Sequence, residues 1–370
     1  MKIGIDARPL TEKKAGIGTY LNEILKELNN IDKENEYYLY SNKKIVLDFK
    51  LNSNFKICEY NYKIGTFFIL YKIYKIIKKD NIDIFWGTEH CLPRKKENIK
   101  YLLTIHDLAL KKMPNVGKFI NVLIQNFILK KSCYNADKII AISKSTKKDL
   151  IEILNVNESK IKVIYPSGNK SYKYELNKEE EKEIEKKYKI EKNKFLFFLS
   201  TIEPRKNVIT LVKAFEKLKI KNKDLKLVIS GGLGWKYKKT LKIIEKSKYR
   251  EDIILTGYIN NLEKEYFYKN ATCFVYPSLY EGFGLPILEA MNNKQIVVTA
   301  NNSSLKEVGG SAALYYNDAK NVENLEKIIN KTINLNESER KEIIKLGEEQ
   351  VKKFSYKKCA KEINDLIKSM

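Results

Sequence analysis

The chain has 370 residues, 43% of them hydrophobic, which is too long for one ordinary core and suits two domains of common size. Its five cysteines (Cys58, Cys91, Cys133, Cys273, Cys359) are odd in number, scattered and never in Cys-x-x-Cys spacing, which argues against a disulfide framework and a zinc site and fits a reducing cytoplasm. The formal charge of +24 invites a nucleic-acid or anionic-membrane reading, yet much of the excess is Lys beside abundant Asn, Ile and Tyr, a bias that can coat every exposed surface without making a site.

The start, Met1-Lys2-Ile3-Gly4-Ile5-Asp6, lacks the uninterrupted apolar core of a secretory signal and reads as a buried strand. No apolar run approaches the length of a membrane span, so a soluble or peripheral protein is expected. Further strand-like runs at Ile82 to Trp86, Tyr101 to Ile105, Lys138 to Ile142 and Lys162 to Tyr165, with helical patterns between most of them, predict a doubly wound α/β domain. Within it, residues 51–150 hold 19 Lys/Arg against 8 Asp/Glu, whereas residues 1–50 hold 9 against 8, so the positive field leans toward one part of the first half. Tyr174 to Lys194 is dense in Glu and Lys at helix-compatible spacing and reads as a solvated connector. The strand pattern then restarts at Phe195 to Ser200, Leu225 to Ser230, Ile253 to Thr256, Cys273 to Tyr276 and Gln295 to Thr299. The expectation is two Rossmann-like parallel-sheet domains, 1–168 and 169–353, joined near Pro166 to Lys170, with the amphipathic segment 354–370 packed back on the first. Open α/β sheets bind ligands at the carboxyl ends of their strands, so two such domains facing an interdomain cleft place function in the strand-to-helix loops.

Three groups of loops carry chemistry. After the first strand, Ala15-Gly16-Ile17-Gly18-Thr19-Tyr20 opens a helix, where Gly16 and Gly18 let backbone N–H groups approach an anion. Leu21 breaks the dinucleotide fingerprint and no Walker Lys-Ser/Thr pair is present, so a plain turn competes equally. His106-Asp107 follows the strand Tyr101 to Ile105; His106 is one of only two histidines and sits where substrates bind, against the alternative of an imidazole bonded to a nearby carbonyl. His90, in Thr88-Glu89-His90-Cys91-Leu92-Pro93, is read as another cleft-facing loop residue. In the second half, Glu203-Pro204-Arg205-Lys206-Asn207 places a forked and a point cation at a strand end, a pair suited to a diphosphate. Further on, Tyr276-Pro277-Ser278-Leu279-Tyr280-Glu281-Gly282-Phe283-Gly284-Leu285-Pro286-Ile287-Leu288-Glu289-Ala290 joins strand to helix through a glycine turn whose N–H groups at Phe283 to Leu285 can face a phosphate or sugar oxygen. The Glu-x7-Glu spacing alone proves little, since Glu175, Glu183 and Glu191 repeat it in the connector.

Together with Ala141-Ile142-Ser143-Lys144-Ser145, Ser230-Gly231-Gly232 and Leu255-Thr256-Gly257-Tyr258, these motifs follow in an order that resembles family 4 of the retaining GT-B glycosyltransferases over nearly the whole chain. The resemblance implies that 1–168 is the acceptor domain and 169–353 the nucleotide-sugar donor domain, that Arg205 and Lys206 neutralise the donor diphosphate and that Glu289 takes the ribose hydroxyls. It further implies that Glu281 with Gly282, Phe283, Gly284 and Leu285 holds the sugar, with Gly16, Gly18, Gly257 and Tyr258 also at the donor, and that His106 completes the sugar pocket from the other domain. No metal ligands and no separate nucleophile are implied, and the departing phosphate takes the acceptor proton. One departure is Met291-Asn292-Asn293-Lys294-Gln295, where the family carries a glycine-bearing turn.

Likeness to bacterial mannosyltransferases makes GDP-mannose the first donor expected and UDP-hexoses the second, with a glycan or lipid-linked acceptor in cell-surface polysaccharide synthesis. Tyr62 to Lys79 mixes Phe67, Phe68, Leu70 and Tyr71 with Lys72, Lys75, Lys78 and Lys79. It suits either an anionic membrane surface or a Rossmann helix packing its apolar face on the sheet. The rival readings are a nonenzymatic nucleic-acid-binding Rossmann protein, although no nucleic-acid module is present, and a related glycoside-cleaving or phosphorolytic enzyme.

Overall fold

The structure, a computed structural model, describes residues 1–11, 16–94, 98–113, 119–168 and 176–370. Ala15 of the early glycine loop, Lys170 of the expected join, and Tyr174 and Glu175 of the connector lie outside these residues. The chain forms two compact units, one made of Met1–Ser167 and Phe354–Met370, the other of Gly168–Lys353.

The first unit is built on seven strands, β1 (Lys2–Asp6), β2 (Glu36–Ser41), β3 (Phe55–Glu59), β4 (Ile84–Gly87), β5 (Lys100–Ile105), β6 (Lys138–Ala141) and β7 (Ile161–Val163). They run parallel in the order β3-β2-β1-β4-β5-β6-β7. Central strands buried on both faces need near-continuous apolar runs, which is why β1, β4, β5 and β6 are legible from sequence. Two strands are not. In β2, Tyr37 and Tyr40 are fully buried, their hydroxyls donating to Asp32 and Asp80 at 2.6 Å, so residues that count as half-polar serve as core. The edge strand β3 buries only Phe55 and leaves Lys56, Ile57 and Glu59 exposed.

The second unit carries β8 (Phe195–Leu199), β9 (Lys226–Ser230), β10 (Ile253–Gly257), β11 (Cys273–Tyr276), β12 (Val297–Ala300) and β13 (Ala313–Tyr316). These also run parallel, in the order β10-β9-β8-β11-β12-β13. The edge strand β13, Ala-Leu-Tyr-Tyr, buries its first and last residues and half-buries the two between them, and like β2 it places tyrosine where a core strand is expected to be aliphatic. In both sheets the order reverses beside the first strand of the unit, between β1 and β4 and between β8 and β11, and such switch points open a crevice for ligands at the strand carboxyl ends.

The segment 62–79 forms a helix from Gly65 to Lys79, with a π turn at Phe68–Lys72. It buries Phe68, Ile69, Ile73 and Ile77 on the sheet, as a Rossmann helix does, and leaves Phe67 and Tyr71 exposed. The final helix, Tyr356–Lys368, lays Cys359, Ala360, Ile363 and Ile367 into the core that holds Tyr20, Leu21, Ile24, Leu25 and Leu28 of the helix Gly16–Ile31. Its entry is fixed by Ser167 Oγ, which donates to the Phe354 carbonyl at 3.0 Å. No helix among the described residues is long and apolar enough to cross a membrane, and all five cysteines are free thiols. Because Ile363 is fully buried, Ile363→Ala is expected to cost about 3 kcal/mol of unfolding free energy, measured by urea denaturation followed through intrinsic fluorescence.

Candidate functional site

At the switch point of the second unit, the loop after β8 and the loop after β11 are stitched together. The Leu279 N–H donates to the Arg205 carbonyl at 2.8 Å, and Asn207 Nδ2 donates to the Pro277 carbonyl at 3.0 Å. Asn207 stands in the left-handed region, φ 58°, where asparagine is tolerated, and this ends the short 3-10 turn Pro204–Lys206 and starts the helix Val208–Leu218. That turn aims two cations at one carboxylate. Lys206 Nζ lies 2.6 Å from Glu281 Oε1, and Arg205 Nη1 lies 2.8 Å from Glu281 Oε2. The Tyr276 hydroxyl sits 3.0 Å from both Lys206 Nζ and Glu281 Oε1. Arg205 also reaches Glu203 at 2.9 Å and the Tyr280 carbonyl at 3.1 Å.

Glu281 and Lys206 are both only 6% exposed, so this is a buried ion pair. Burial alone would raise the Glu281 pKa; the charge of Lys206, then that of Arg205, outweighs it and holds the carboxyl well below the usual carboxylate range. Glu281 is therefore an anion at neutral pH and no proton donor. The two cations expected to neutralise a diphosphate are both engaged with this carboxylate, Lys206 more deeply buried than Arg205. Burial also separates what spacing could not: Glu183 and Glu191 of the connector are exposed, whereas Glu281 is not.

Gly284, at φ 109°, occupies a conformation that a side chain resists, and it delivers the chain into the helix Leu285–Asn292 with Pro286 in the first turn. Ser304 Oγ secures this turn by donating to the carbonyls of Glu281 and Phe283 at 3.0 and 2.7 Å, and the Glu281 N–H donates to Ser303 Oγ at 3.1 Å. Gly282 and Phe283 are buried and Leu285 is half-buried. Glu289, one turn along, does not join the Glu281 cluster. Its partners are Lys264 at 2.5 Å and the Tyr268 hydroxyl at 3.2 Å. Gly257, at φ 67°, and Tyr258, 88% exposed, end β10, two strands from the switch point. The sequence assigns no role to Tyr276, Glu203 and Lys264, and offers Ser303 and Ser304 only as part of a family-like loop, Asn301 to Glu307. Tyr276 closes a recognisable strand, while Lys264 lies in an unremarkable helix and carries no local signal.

The departure at 291–295 resolves into a Schellman turn. The Gln295 N–H donates to the Ala290 carbonyl and the Lys294 N–H to the Met291 carbonyl, both at 3.0 Å, and Lys294 takes the left-handed position at φ 58° that glycine normally fills.

In the first unit the loops after β1, β4 and β5 converge. Arg8 bonds Asp6 twice, at 2.8 and 2.6 Å, and approaches Glu89 at 3.5 Å. Thr88 Oγ1 donates to the Asp6 carbonyl at 2.6 Å. His106 is 9% exposed, with its Nε2 2.9 Å from the Thr88 carbonyl. Since a carbonyl only accepts, that nitrogen carries the proton and Nδ1 does not. The His106 N–H donates to His90 Nε2 at 3.1 Å and the two rings stack at 5.5 Å. Burial, then the neighbouring His90, pushes the His106 pKa down to about 4, so the ring is neutral at pH 7. The carbonyl-bonded alternative for His106 thus describes its geometry, but the residue also lines a cavity of about 390 Å3 with Arg8, Ile17, Glu89 and His90. Gly16 begins the helix beside this cavity; it is exposed, and a Cβ there would meet nothing within 4 Å, so local packing does not demand glycine. Gly18 is buried in the same helix. Among the described residues no group of three or more His, Cys, Asp or Glu is placed to hold a metal ion.

Two Rossmann-like units with parallel sheets and loaded switch points are the architecture of a GT-B glycosyltransferase. Residues 16–167 match Glycosyltransferase Family 4 and residues 179–350 match Glycosyl transferases group 1. An uncharacterized glycosyltransferase of Methanocaldococcus jannaschii is 30% identical over 303 residues, 78% of this chain and 76% of its own. O-antigen chain mannosyltransferase B of Escherichia coli is 29% identical over 277 residues, 75% and 71% of the two chains. The Anabaena protein HepE, solved in complex with UDP-glucose, covers 100% of both chains at a TM-score of 0.73 and 15% identity. The chain belongs to the family 4 glycosyltransferases. This membership does not favour the nonenzymatic nucleic-acid reading.

Three outcomes test this geometry. Lys206→Met removes the deeper of the two cations from a buried carboxylate and leaves it to Arg205 alone, which is expected to cost about 3 kcal/mol of stability, measured by urea unfolding. Because the folded His106 pKa of about 4 lies below its ordinary 6.5, the unfolded chain binds more protons between those values. Stability from this residue is therefore complete above pH 6.5 and declines as pH falls toward 4, by about 3 kcal/mol; a series of unfolding curves should show this component removed in His106→Gln. Lys294→Gly, relieving a left-handed side chain, should stabilise the protein by about 1 kcal/mol.

Proposed function

We propose that the protein is a retaining, metal-independent hexosyltransferase that moves mannose from GDP-mannose, with UDP-hexoses as the second donor class, to a glycan or lipid-linked glycan in cell-surface polysaccharide synthesis at the cytoplasmic side. The observation that carries this reading is the buried Glu281 anion held by Arg205 and Lys206 at the second switch point. The mannosyl choice is supported by likeness to the E. coli O-antigen mannosyltransferase.

In this reading the second unit binds the donor. Glu289 accepts the ribose hydroxyls, the end of β10 at Gly257 and Tyr258 borders the nucleotide, and the 282–285 turn offers N–H groups to the sugar and diphosphate. Arg205, nearer the rim, meets the diphosphate, and Lys206 keeps Glu281 ionised and aimed. As the anomeric C–O bond breaks, its electron pair passes to a diphosphate oxygen, where the cations and turn dipoles stabilise the developing charge. The acceptor oxygen bonds to the same face of the anomeric carbon and its proton goes to that departing oxygen. Glu281, ionised throughout, orients sugar hydroxyls. In the first unit, Gly16 and Gly18 give backbone access to the donor, and neutral His106 offers its unprotonated Nδ1 to a sugar hydroxyl. The exposed Phe67 and Tyr71, and Leu123, Ile124 and Phe127 beside Lys130 and Lys131 on the helix Phe119–Asn135, suit contact with an anionic membrane surface.

GDP-mannose should raise the melting temperature, transfer should persist in EDTA, and the product should keep the donor's anomeric configuration by NMR. Failure of every nucleotide sugar to stabilise the protein would overturn the reading. Glu281→Gln should lower kcat/KM by about 100-fold. Vesicles rich in phosphatidylglycerol should float the protein at low salt and release it at high salt; no flotation at low salt removes the membrane contact.

A further inference from the structure

The helix Asn261–Asn270, which follows β10, is anchored on one side. Asn260 and Glu263 close its first turn as a capping box. Glu263 also takes Lys187 at 2.6 Å and the Tyr188 hydroxyl at 2.8 Å from the helix Lys178–Tyr188, and Tyr266 donates to Glu185 of that helix at 2.8 Å. Lys264 and Tyr268 stand one turn apart, where side chains four residues apart are neighbours, and both reach Glu289 of the helix Leu285–Asn292. Lys264 Nζ lies 2.5 Å from Glu289 Oε2, and the Tyr268 hydroxyl donates to the same oxygen at 3.2 Å. Tyr268 is fully buried; burial, then the charge of Glu289, pushes its pKa well above the ordinary value, so it remains a donor. The other acid beside this pair, Glu265, is engaged by Lys269 at 2.6 Å.

An ionised carboxylate has about four acceptor sites, two on each oxygen. Lys264 and Tyr268 fill those of Oε2, while no hydrogen bond or ion pair among the described residues reaches Oε1. The pair is open to a ligand: both side chains are 26% exposed, beside a cavity of about 30 Å3 bordered by Asn261 and Asn292, enough for a hydroxyl group. An ion pair so exposed adds little to stability. Its effect falls on Glu289 itself, whose orientation it fixes before a ligand arrives, which lowers the ordering cost of binding.

We propose that Lys264 is a positioning residue for the nucleotide: with Tyr268 it occupies Oε2 of Glu289 and so presents Oε1 to a ribose hydroxyl. This rests on the reading in which Glu289 receives the ribose of the donor.

Isothermal titration of the full chain with GDP, 2′-deoxy-GDP and 3′-deoxy-GDP, and with the matching uridine diphosphates, tests it. For the base that binds, loss of one ribose hydroxyl should weaken the wild-type Kd about tenfold, equivalent to about 1.4 kcal/mol. In Lys264→Met the same deletion should cost no more than about threefold, because the carboxylate is no longer held for that hydroxyl, and Tyr268→Phe should shrink the ratio in the same direction. A merely structural role would weaken all the nucleotides alike and leave the ratio as in wild type. Lys264→Ala replaces the methionine variant if that one does not fold. An undiminished ratio in Lys264→Met overturns the proposal while nucleotide binding stands. Tighter GDP binding in that variant overturns it too, since Lys264 would then compete with ribose for the carboxylate. A wild-type protein that binds nucleotide with no preference for intact ribose instead overturns Glu289 as the ribose acceptor, and one that binds no nucleotide overturns the donor reading.

Discussion

A charge buried in protein must be partnered, and Glu281 is the place where this chain meets that requirement most fully. Its carboxylate lies between Lys206 and Arg205 with the Tyr276 hydroxyl beside it. Since Lys206 and Arg205 come from the loop after β8 and Glu281 from the loop after β11, the pairing fixes two loops that the sheet only brings near. Removing Glu281 leaves two cations without their shared carboxylate, and removing either cation leaves the carboxylate to the other alone. Such rigidity suits a site that stabilises a transition state through prearranged charge, because no reorganisation is needed when the reaction occurs.

The first unit meets the same topological circumstance differently. Among its described residues are a buried ion pair, Arg8 with Asp6, with Glu89 3.5 Å from the same guanidinium, and the neutral contacts of His106 to the Thr88 carbonyl and to His90. The neutral imidazole stack lines the cavity together with charges of both signs, Arg8 and Lys111 against Glu89 and Asp107.

Much of this was legible before any coordinates. Buried parallel strands announce themselves as apolar runs, and loops at their carboxyl ends are where ligands bind, so His106, Arg205, Lys206 and Glu281 stood out by position. The strand β2 was hidden because tyrosine hydroxyls can be satisfied inside a core by Asp32 and Asp80, a pairing across intervening sequence that no local pattern reveals. The edge strand β3 exposes three of its five residues, and β13 carries two tyrosines in four residues. Lys264 reaches Glu289 from another helix, and His90 accepts from the His106 N–H across two loops; both relations exist only after folding. The glycine-free turn at 291–295 looked like a departure, yet Lys294 adopts the glycine conformation and the turn survives at some cost in strain.

The final helix has a consequence for how the protein is made. The second unit, Gly168–Lys353, lies in sequence wholly within the first, since Ser167 and Phe354 flank it and are hydrogen-bonded to each other. A ribosome that has reached residue 353 has supplied every residue of the second unit, while the first still lacks the helix that covers Tyr20, Ile24 and Leu28. Synthesis therefore reverses the order of the domains: the unit begun first is sealed last, and until Ile363 and Ile367 arrive its apolar face is exposed to whatever binds nascent chains.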